Sequence, residues 1–548
     1  MRPISQLPAW KALIAHHEDI ANQTLRYWFS EDQDRFNHFS LSMNEIFLDY
    51  SRHRLNTKTI ALLCQLARDV SLSEKIAALF AGHPINITEN RPALHVALRD
   101  KKLTSLCIDG KNIAPLIHHT RQKMHDLVDK IHAEQWLGAT GKPISHIVNI
   151  GIGGSHLGPL MGTHALKDFA VKPLTFHFIS TVDKAPLNAL LQHIDPERSL
   201  FIISSKSFST IETLTNARTI LTWLKSKVGE KAILHHFIAI TAAPHKAIAF
   251  GVPENHILPI WEWVGGRYSI WSAIGLPVML MIGNQHFADF LAGAYEMDQH
   301  FCQANFEENM PVLLALCSIW YINFFGFHAE AIIPYADALR YLIPYLQQAT
   351  MESNGKRMSV HHQPVDFKTS PVIFGEEGCN GQHTYHQLLH QGQHIIPADF
   401  ILIGKSSDAD DIHHDILLAS ALSQAEALMN GKTYEEAYEA LLRTKVREED
   451  AKQLAHHQTI PGNRPCNMLL MERLTPKNLG ALIALYEHKI FVQGSIWGIN
   501  SFDQFGVELG KQLLPAILQN VQGTSQEETT HPATQGFIHR LKKIRGQT

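Results

Sequence analysis

The spacing of apolar residues changes along the chain, and each change predicts a different kind of element. Residues 1 to about 120 are mixed but mainly helical in pattern, as in Thr59 to Leu66 and Leu72 to Phe80. From Ser145 short β-branched runs appear: His146 to Ile150, Leu174 to Ile179, Leu200 to Ser204 and Phe237 to Thr241. Loops and stretches of helical spacing separate them; Leu160 to Phe169 follows the first. Strands alternating with helices predict a parallel, doubly wound sheet.

Gly283 to Gln348 is apolar almost throughout and predicts helix. Within it, Val312 to Ile333 reaches membrane length, but Asn323, His328 and Glu330 in its interior suit a buried core helix better than a membrane anchor. A second β-containing region is expected from about Ser370 to Lys405, with Asp399 to Ile403 as a strand. Helical spacing returns at Ile412 to Asn430, Tyr434 to Lys445, Leu479 to Val492 and Val507 to Leu518. The end of the chain is polar and basic, His539 to Arg545.

Composition narrows the class. A chain of 548 residues that is 45% hydrophobic with a net charge of −4 has enough apolar surface for a large core in more than one domain, which excludes global disorder. With 48 basic against 52 acidic side chains there is no basic excess of the kind a nucleic-acid binder carries. The 35 histidines include scattered doublets such as His118-His119 and His361-His362, without HExxH or paired Cys-x-x-Cys spacing, so no metal site is expected. The six cysteines are far apart and predict no disulfide framework. The opening residues lack an apolar h-region, and a cytoplasmic location is the expectation.

Three segments carry candidate chemistry. Asn149 to Pro159 is a strand followed by a glycine turn and a helix, an arrangement that offers backbone N–H groups to an anion. It fails the dinucleotide fingerprint at His156 and the P-loop fingerprint at Pro159, so a tight turn without a ligand stays open. Ser204 to Thr213 gathers the hydroxyls of Ser204, Ser205, Ser207, Ser209 and Thr210 around Lys206. These groups can ring a phosphate ester without a metal, whereas a helix N-cap would need only one of them. Trp261 to Ser269 places paired glycines before Arg267, suited either to a close-approaching ligand or to a structural turn with a buried ion pair. Three further segments hold titratable groups: Glu352 in Met351 to Lys356, His383 after the loop Gly378 to Gln382, and Lys511 one turn beyond Glu508. Together they offer a carboxylate, an imidazole and an ammonium for proton transfer.

These segments, in this order, resemble the phosphoglucose isomerase family. The resemblance runs from about residue 145 to 515. It rests most on Glu262-Trp-Val-Gly-Gly-Arg-Tyr-Ser-Ile-Trp-Ser-Ala-Ile-Gly275 and Phe502-Asp-Gln-Phe-Gly-Val-Glu-Leu-Gly-Lys511. Gly-Gly-Ser-x-Leu-Gly-Pro at 153–159, Ser-Lys-Ser-Phe-Ser-Thr at 205–210, Met-Glu-Ser-Asn-Gly-Lys at 351–356 and Asn-Gly-Gln-His at 380–383 complete it. The family often has Asp at 156 and Thr at 207 and 209, where this chain has His156, Ser207 and Ser209.

The resemblance implies an α/β fold of two sugar-isomerase-type sandwich domains with central parallel sheets and helical extensions. The implied edges are a helical extension over 1–120, a first domain over 121–285, a second over 286–515 and a helical tail over 516–548. It also implies a homodimer that needs no cofactor or metal, acting on a small sugar phosphate, with neither nucleic acid nor membrane as partner. The implied reaction is the interconversion of glucose 6-phosphate and fructose 6-phosphate through a cis-enediol. By the resemblance, Ser205, Lys206, Ser207, Phe208, Ser209 and Thr210 form the phosphate loop, and Gly154 and Ser155 lie beside the sugar. Glu352 is then the base, Arg267 with Gly266 stabilises the intermediate, His383 and Lys511 open the ring, and Gln348 and Gln504 contact substrate. Two other classes compete: a catalytically inactive sugar-phosphate-binding regulator of this fold, and a nicotinamide dehydrogenase using the Gly151 turn.

Overall fold

The computed structural model describes residues 3–406, 411–524 and 531–546. The chain divides into two compact units, Met1–Ser501 and Phe502–Thr548. The first contains two sheets. One has five strands, all parallel, in the spatial order Thr175–Ile179, His146–Ile150, Ser199–Ser204, Phe237–Thr241, Ile257–Pro259. Helices cover both of its faces, so its inner strands are apolar without alternation; every residue of Ser199–Ser204 and Phe237–Thr241 is buried.

The other sheet has six strands in the order Ser40–Met43, Ile46–Asp49, Cys466–Met471, Ala398–Ile403, Ala329–Tyr335, Val372–Gly375. The last four are mutually parallel, and the first two form an antiparallel hairpin on the edge. Both fold-class expectations, α/β and parallel sheets, are met. Two details of the sequence reading are corrected. Residues 283–348 are not helical throughout: Met310–Ile319 and Leu342–Asn354 are helices, but Ala329–Tyr335 is an inner strand. A strand buried on both faces shows no period of two, so its apolar run reads like a buried helix. The stretch Val312 to Ile333 is accordingly split between a helix, a wide π turn at Trp320–Phe325 and this strand. The N-terminal region is also not purely helical, because the hairpin turns at Asn44 (φ 51°) with strands of four residues each, too short to leave a pattern. Among the described residues, no helix is long and apolar enough to cross a membrane. The helix Leu276–Gln303 spans the expected 285/286 edge, broken at Gly283 (φ 77°, ψ 170°).

The helix Pro476–Trp497 is buried on all sides, and its ionisable residues are paired. Lys489 Nζ lies 2.9 Å from Glu330 on the inner strand and 3.4 Å from Asp399 on its neighbour. Asp399 also accepts from Tyr486 at 3.0 Å and Asn467 at 2.7 Å. Burial alone would lower the Lys489 pKa, but the Asp399 and Glu330 carboxylates outweigh it and hold the ammonium above the ordinary lysine value.

The second unit contributes the helices Glu508–Gln522 and Pro532–Ile544.

Removing that cation tests how the second sheet is held to the helix. Lys489→Met should cost about 3–5 kcal/mol, the usual penalty for stranding buried charge, read as a lower urea midpoint at unchanged slope. A loss under about 1 kcal/mol would mean the carboxylates find water or protons instead.

Candidate active site

Strands His146–Ile150 and Ser199–Ser204 are neighbours, and the chain crosses to opposite sides of the sheet after them. The crevice at the carboxyl ends of such a pair is where open parallel sheets bind ligands. The glycine turn at 151–155 and the hydroxyl loop at 205–210 both begin there.

Gly153 has φ 57° and ψ −128°, a conformation for glycine. Gly154 opens the helix Gly154–Ala165, and a Cβ there would run into the carbonyl of Gly266. One and two turns on, Cβ atoms at the positions of Gly158 and Gly162 would lie 3.1 Å from Ile270 and 2.7 Å from Val278. Glycines at this helical spacing let the helix press onto the segment Gly266–Trp271, which carries Arg267 to the turn. Pro159 has no N–H for the Ser155 carbonyl; the Asn149 side-chain amide donates to it at 2.9 Å instead. The same side chain accepts from Ser204 Oγ at 2.9 Å, tying the turn to the strand that feeds the loop. His156 packs edge-on to Phe178, its pKa lowered by burial, and this marks it as a packing residue.

In the loop, Ser205 and Lys206 stay hydrogen-bonded to the neighbouring strand end through Ile240 O and Ala242 N. Phe208 takes φ 45°, costly for a bulky residue, and its side chain is buried against Phe250. Its ring belongs to the core, which narrows its place in the expected site to the backbone. Ser207 and Ser209 share a hydrogen bond of 2.8 Å, and Ser205 and Thr210 one of 3.3 Å. None of these hydroxyls caps the helix Ile211–Val228. The N-cap reading therefore fails, and the first amides of that helix are left without a side-chain cap, as an anion would require. Lys206 donates to the carbonyls of Glu262 at 2.9 Å and Val264 at 3.1 Å, joining the loop to the segment that leads into Arg267.

Arg267 is buried. Its Nε donates to Ser353 Oγ at 2.7 Å, its Nη2 to the Ser501 carbonyl at 2.7 Å, and its Nη1 lies 3.4 Å from Glu352 Oε2. Gln348, one turn earlier on the helix Leu342–Asn354, donates to the same Oε2 at 3.0 Å. Glu352 Oε1 has no partner among the described residues. The carboxylate is thus anchored by one oxygen and open at the other, an arrangement that suits a proton acceptor. Gly153 approaches the Gln348 amide, so turn, arginine and carboxylate form one cluster.

His383 lies in the last turn of the short helix Gly378–Thr384, exposed, and among the described residues it has no hydrogen bond or ion pair to Glu352 or Arg267. Gln504 and Lys511 lie in the second unit. Lys511 is exposed on Glu508–Gln522 and pairs with Glu508 at 2.7 Å. Among the described residues no group of three or more His, Cys, Asp or Glu side chains could hold a metal ion.

Comparison with known proteins decides the family. The profile described as Phosphoglucose isomerase matches residues 49–538. The chain belongs to the phosphoglucose isomerase family. It is 48% identical to the glucose-6-phosphate isomerase of Ectopseudomonas mendocina (strain ymp) over 98% of each chain. It is 46% identical to that of Methylococcus capsulatus (strain ATCC 33009 / NCIMB 11132 / Bath) over 99% of each. A solved glucose-6-phosphate isomerase from Chlamydia trachomatis D/UW-3/Cx superposes with a TM-score of 0.85 at 28% identity, covering 99% of this chain and 100% of that one. Family membership removes the dehydrogenase reading.

Sequence reasoning missed the residues that hold this cluster in place. Ser353 receives Arg267 and also shares a 2.6 Å hydrogen bond with Tyr268. Glu487 accepts from Trp271 and Tyr345, each at 3.0 Å, and is paired with Arg99, so one buried carboxylate ties both site segments to the long helix. Arg99 is itself 2.6 Å from Asp298. The available signal was Glu487 in the largely apolar run Leu479 to Val492, since a charge buried in such a helix needs a partner.

The close approach at Gly154 gives a direct test. Gly154→Ala forces the helix and the Gly266 carbonyl apart, so turnover should fall at least about 100-fold, the scale of a misplacement near 1 Å. Thermal unfolding and turnover measured on the same sample check it; unchanged turnover would mean that the contact does not set Arg267.

Proposed function

We propose that this chain interconverts glucose 6-phosphate and fructose 6-phosphate through a cis-enediol, in glycolysis and gluconeogenesis. The observation that carries the mechanism is the Glu352–Arg267 pair with one open carboxylate oxygen, beside two anion-ready loops. The loop hydroxyls of Ser205, Ser207, Ser209 and Thr210, the Lys206 ammonium and the open amides after Thr210 hold the phosphate. Phe208 contributes backbone only. Gly154 and Ser155 border the sugar, and Gln348 and Gln504 contact it.

His383 and Lys511 open the ring by moving protons at the ring and anomeric oxygens. Glu352 then takes the C2 proton as negative charge develops on O1. Arg267 and the Gly266 amide stabilise that charge; a fixed cation in a buried setting costs no reorganisation as the charge forms. Return of the proton to C1, with the O2 hydroxyl proton passing to O1, gives the ketose.

We place the enzyme in the cytoplasm, because charged sugar phosphates are used where they are made. The active form is a homodimer, supported by Ile412 and Ile416, adjacent on one helix face and 63% and 58% exposed. The two sugar-isomerase-type domains centre on the two sheets.

Glu352→Gln keeps the shape and the Gln348 contact but removes the acceptor. Turnover should drop at least about 100-fold, the low end of general-base catalysis, with far smaller change in affinity for a sugar-acid phosphate analogue. A variant retaining a tenth of wild-type turnover would make Glu352 a structural anchor and remove the base from this mechanism.

A further inference from the structure

Lys206 is fully engaged before any ligand arrives. An ammonium has three N–H donors. Here they face Glu262 O at 2.9 Å, Val264 O at 3.1 Å and the Glu262 carboxylate Oε2 at 3.2 Å. The two carbonyls belong to a backbone turn closed by the Val264 N–H to Trp261 O bond, so they are fixed. The carboxylate is 63% exposed and is the partner that can leave. While it stays, it fills the third donor and sets a negative charge beside the place a phosphate dianion must take.

The same oxygen, Glu262 Oε2, accepts from Arg91 Nη1 at 2.6 Å, closer than its approach to Lys206. Arg91 is held in turn by Glu89, and Glu89 accepts from Asn86 at 2.6 Å. Asn86 accepts from Asn500 at 2.9 Å, beside the Ser501 carbonyl that fixes Arg267. The segment from Asn86 to Arg91 therefore connects the loop lysine to the anchor of the catalytic arginine.

We propose that Arg91 is a positioning residue that draws Glu262 off Lys206 when a phosphate ester arrives, freeing the third N–H of the ammonium for a phosphate oxygen. Arg91 does not touch the substrate. It neutralises the one carboxylate that competes with it. This inference rests on the reading of residues 205–210 as the phosphate site.

The test uses the full-length enzyme with inorganic phosphate as a competitive inhibitor, and kcat and KM for fructose 6-phosphate. Arg91→Ala should raise the phosphate inhibition constant and KM about fivefold, the scale of one partly screened ion pair, with a smaller fall in kcat. Glu262→Gln should lower the inhibition constant. The double variant should return toward Glu262→Gln, because without the competing charge Arg91 has nothing to neutralise. Unchanged phosphate inhibition in Arg91→Ala would overturn the proposal. So would weaker phosphate binding in Glu262→Gln, or a double variant no better than Arg91→Ala, which would make Arg91 a mere support. Lys206→Ala separates the two readings. If it leaves phosphate inhibition unchanged, the phosphate site itself is misassigned. If it weakens inhibition while Arg91→Ala does not, only the role of Arg91 falls.

Discussion

A guanidinium taken out of water must be met on every side, and contacts to Arg267 come from two separate parts of the chain. Ser353 and Glu352 come from the helix after the inner strand of the second sheet, and the Ser501 carbonyl from the turn beyond the long buried helix. The arginine itself leaves the first sheet through the Gly-Gly segment. Leaving any of these contacts unmade would strand a buried charge at a cost of several kcal/mol. Satisfying Arg267 therefore fixes how the two sheets present their loops to one another, and it sets the open Glu352 oxygen at the turn at 151–155. In the proposed mechanism, stability and catalysis share this one constraint.

The surrounding structure divides into parts that cannot move and parts that can. Helix Gly154–Ala165 is pressed against Gly266–Trp271 with no room for a side chain, and Glu487 holds the neighbouring Trp271 and Tyr345. That rigidity suits a step in which charge must be stabilised as it forms. The loop at 205–210 is built differently. Its hydroxyls pair with one another, and its lysine leans on an exposed carboxylate, contacts that a doubly charged ligand can replace without disturbing the core.

Much of this was legible in the sequence because it is local. The strand runs at 146–150 and 237–241 match the observed bounds, as does the helix at 412–430, since each carries its own period and end signals. The hydroxyl loop and the glycine turn were legible because both follow a strand directly. The strand Ala329–Tyr335 was not, because burial on both faces erases alternation. Nor were Ser353, Ser501 and Glu487, which act across 86, 234 and 216 residues of chain from their partners in the Gly266–Trp271 segment. Gly158 read as part of a ligand turn, although its spacing of four from Gly154 and Gly162 is the spacing of one helix face. That period was the overlooked signal for close packing against Ile270 and Val278.

The central claim is that a proton, carried by Glu352, moves between two carbons. Its most direct test is isomerisation of glucose 6-phosphate in D2O, with NMR of the fructose 6-phosphate formed at low conversion. The carboxylate side chain is 22% exposed, so a proton resting on it can exchange with solvent before it is returned. The account predicts deuterium at C1 of the product, appearing at a rate that falls with turnover when the carboxylate is replaced. Product free of deuterium at C1 would mean that hydrogen passes directly between the carbons, and the role given to Glu352 would be wrong.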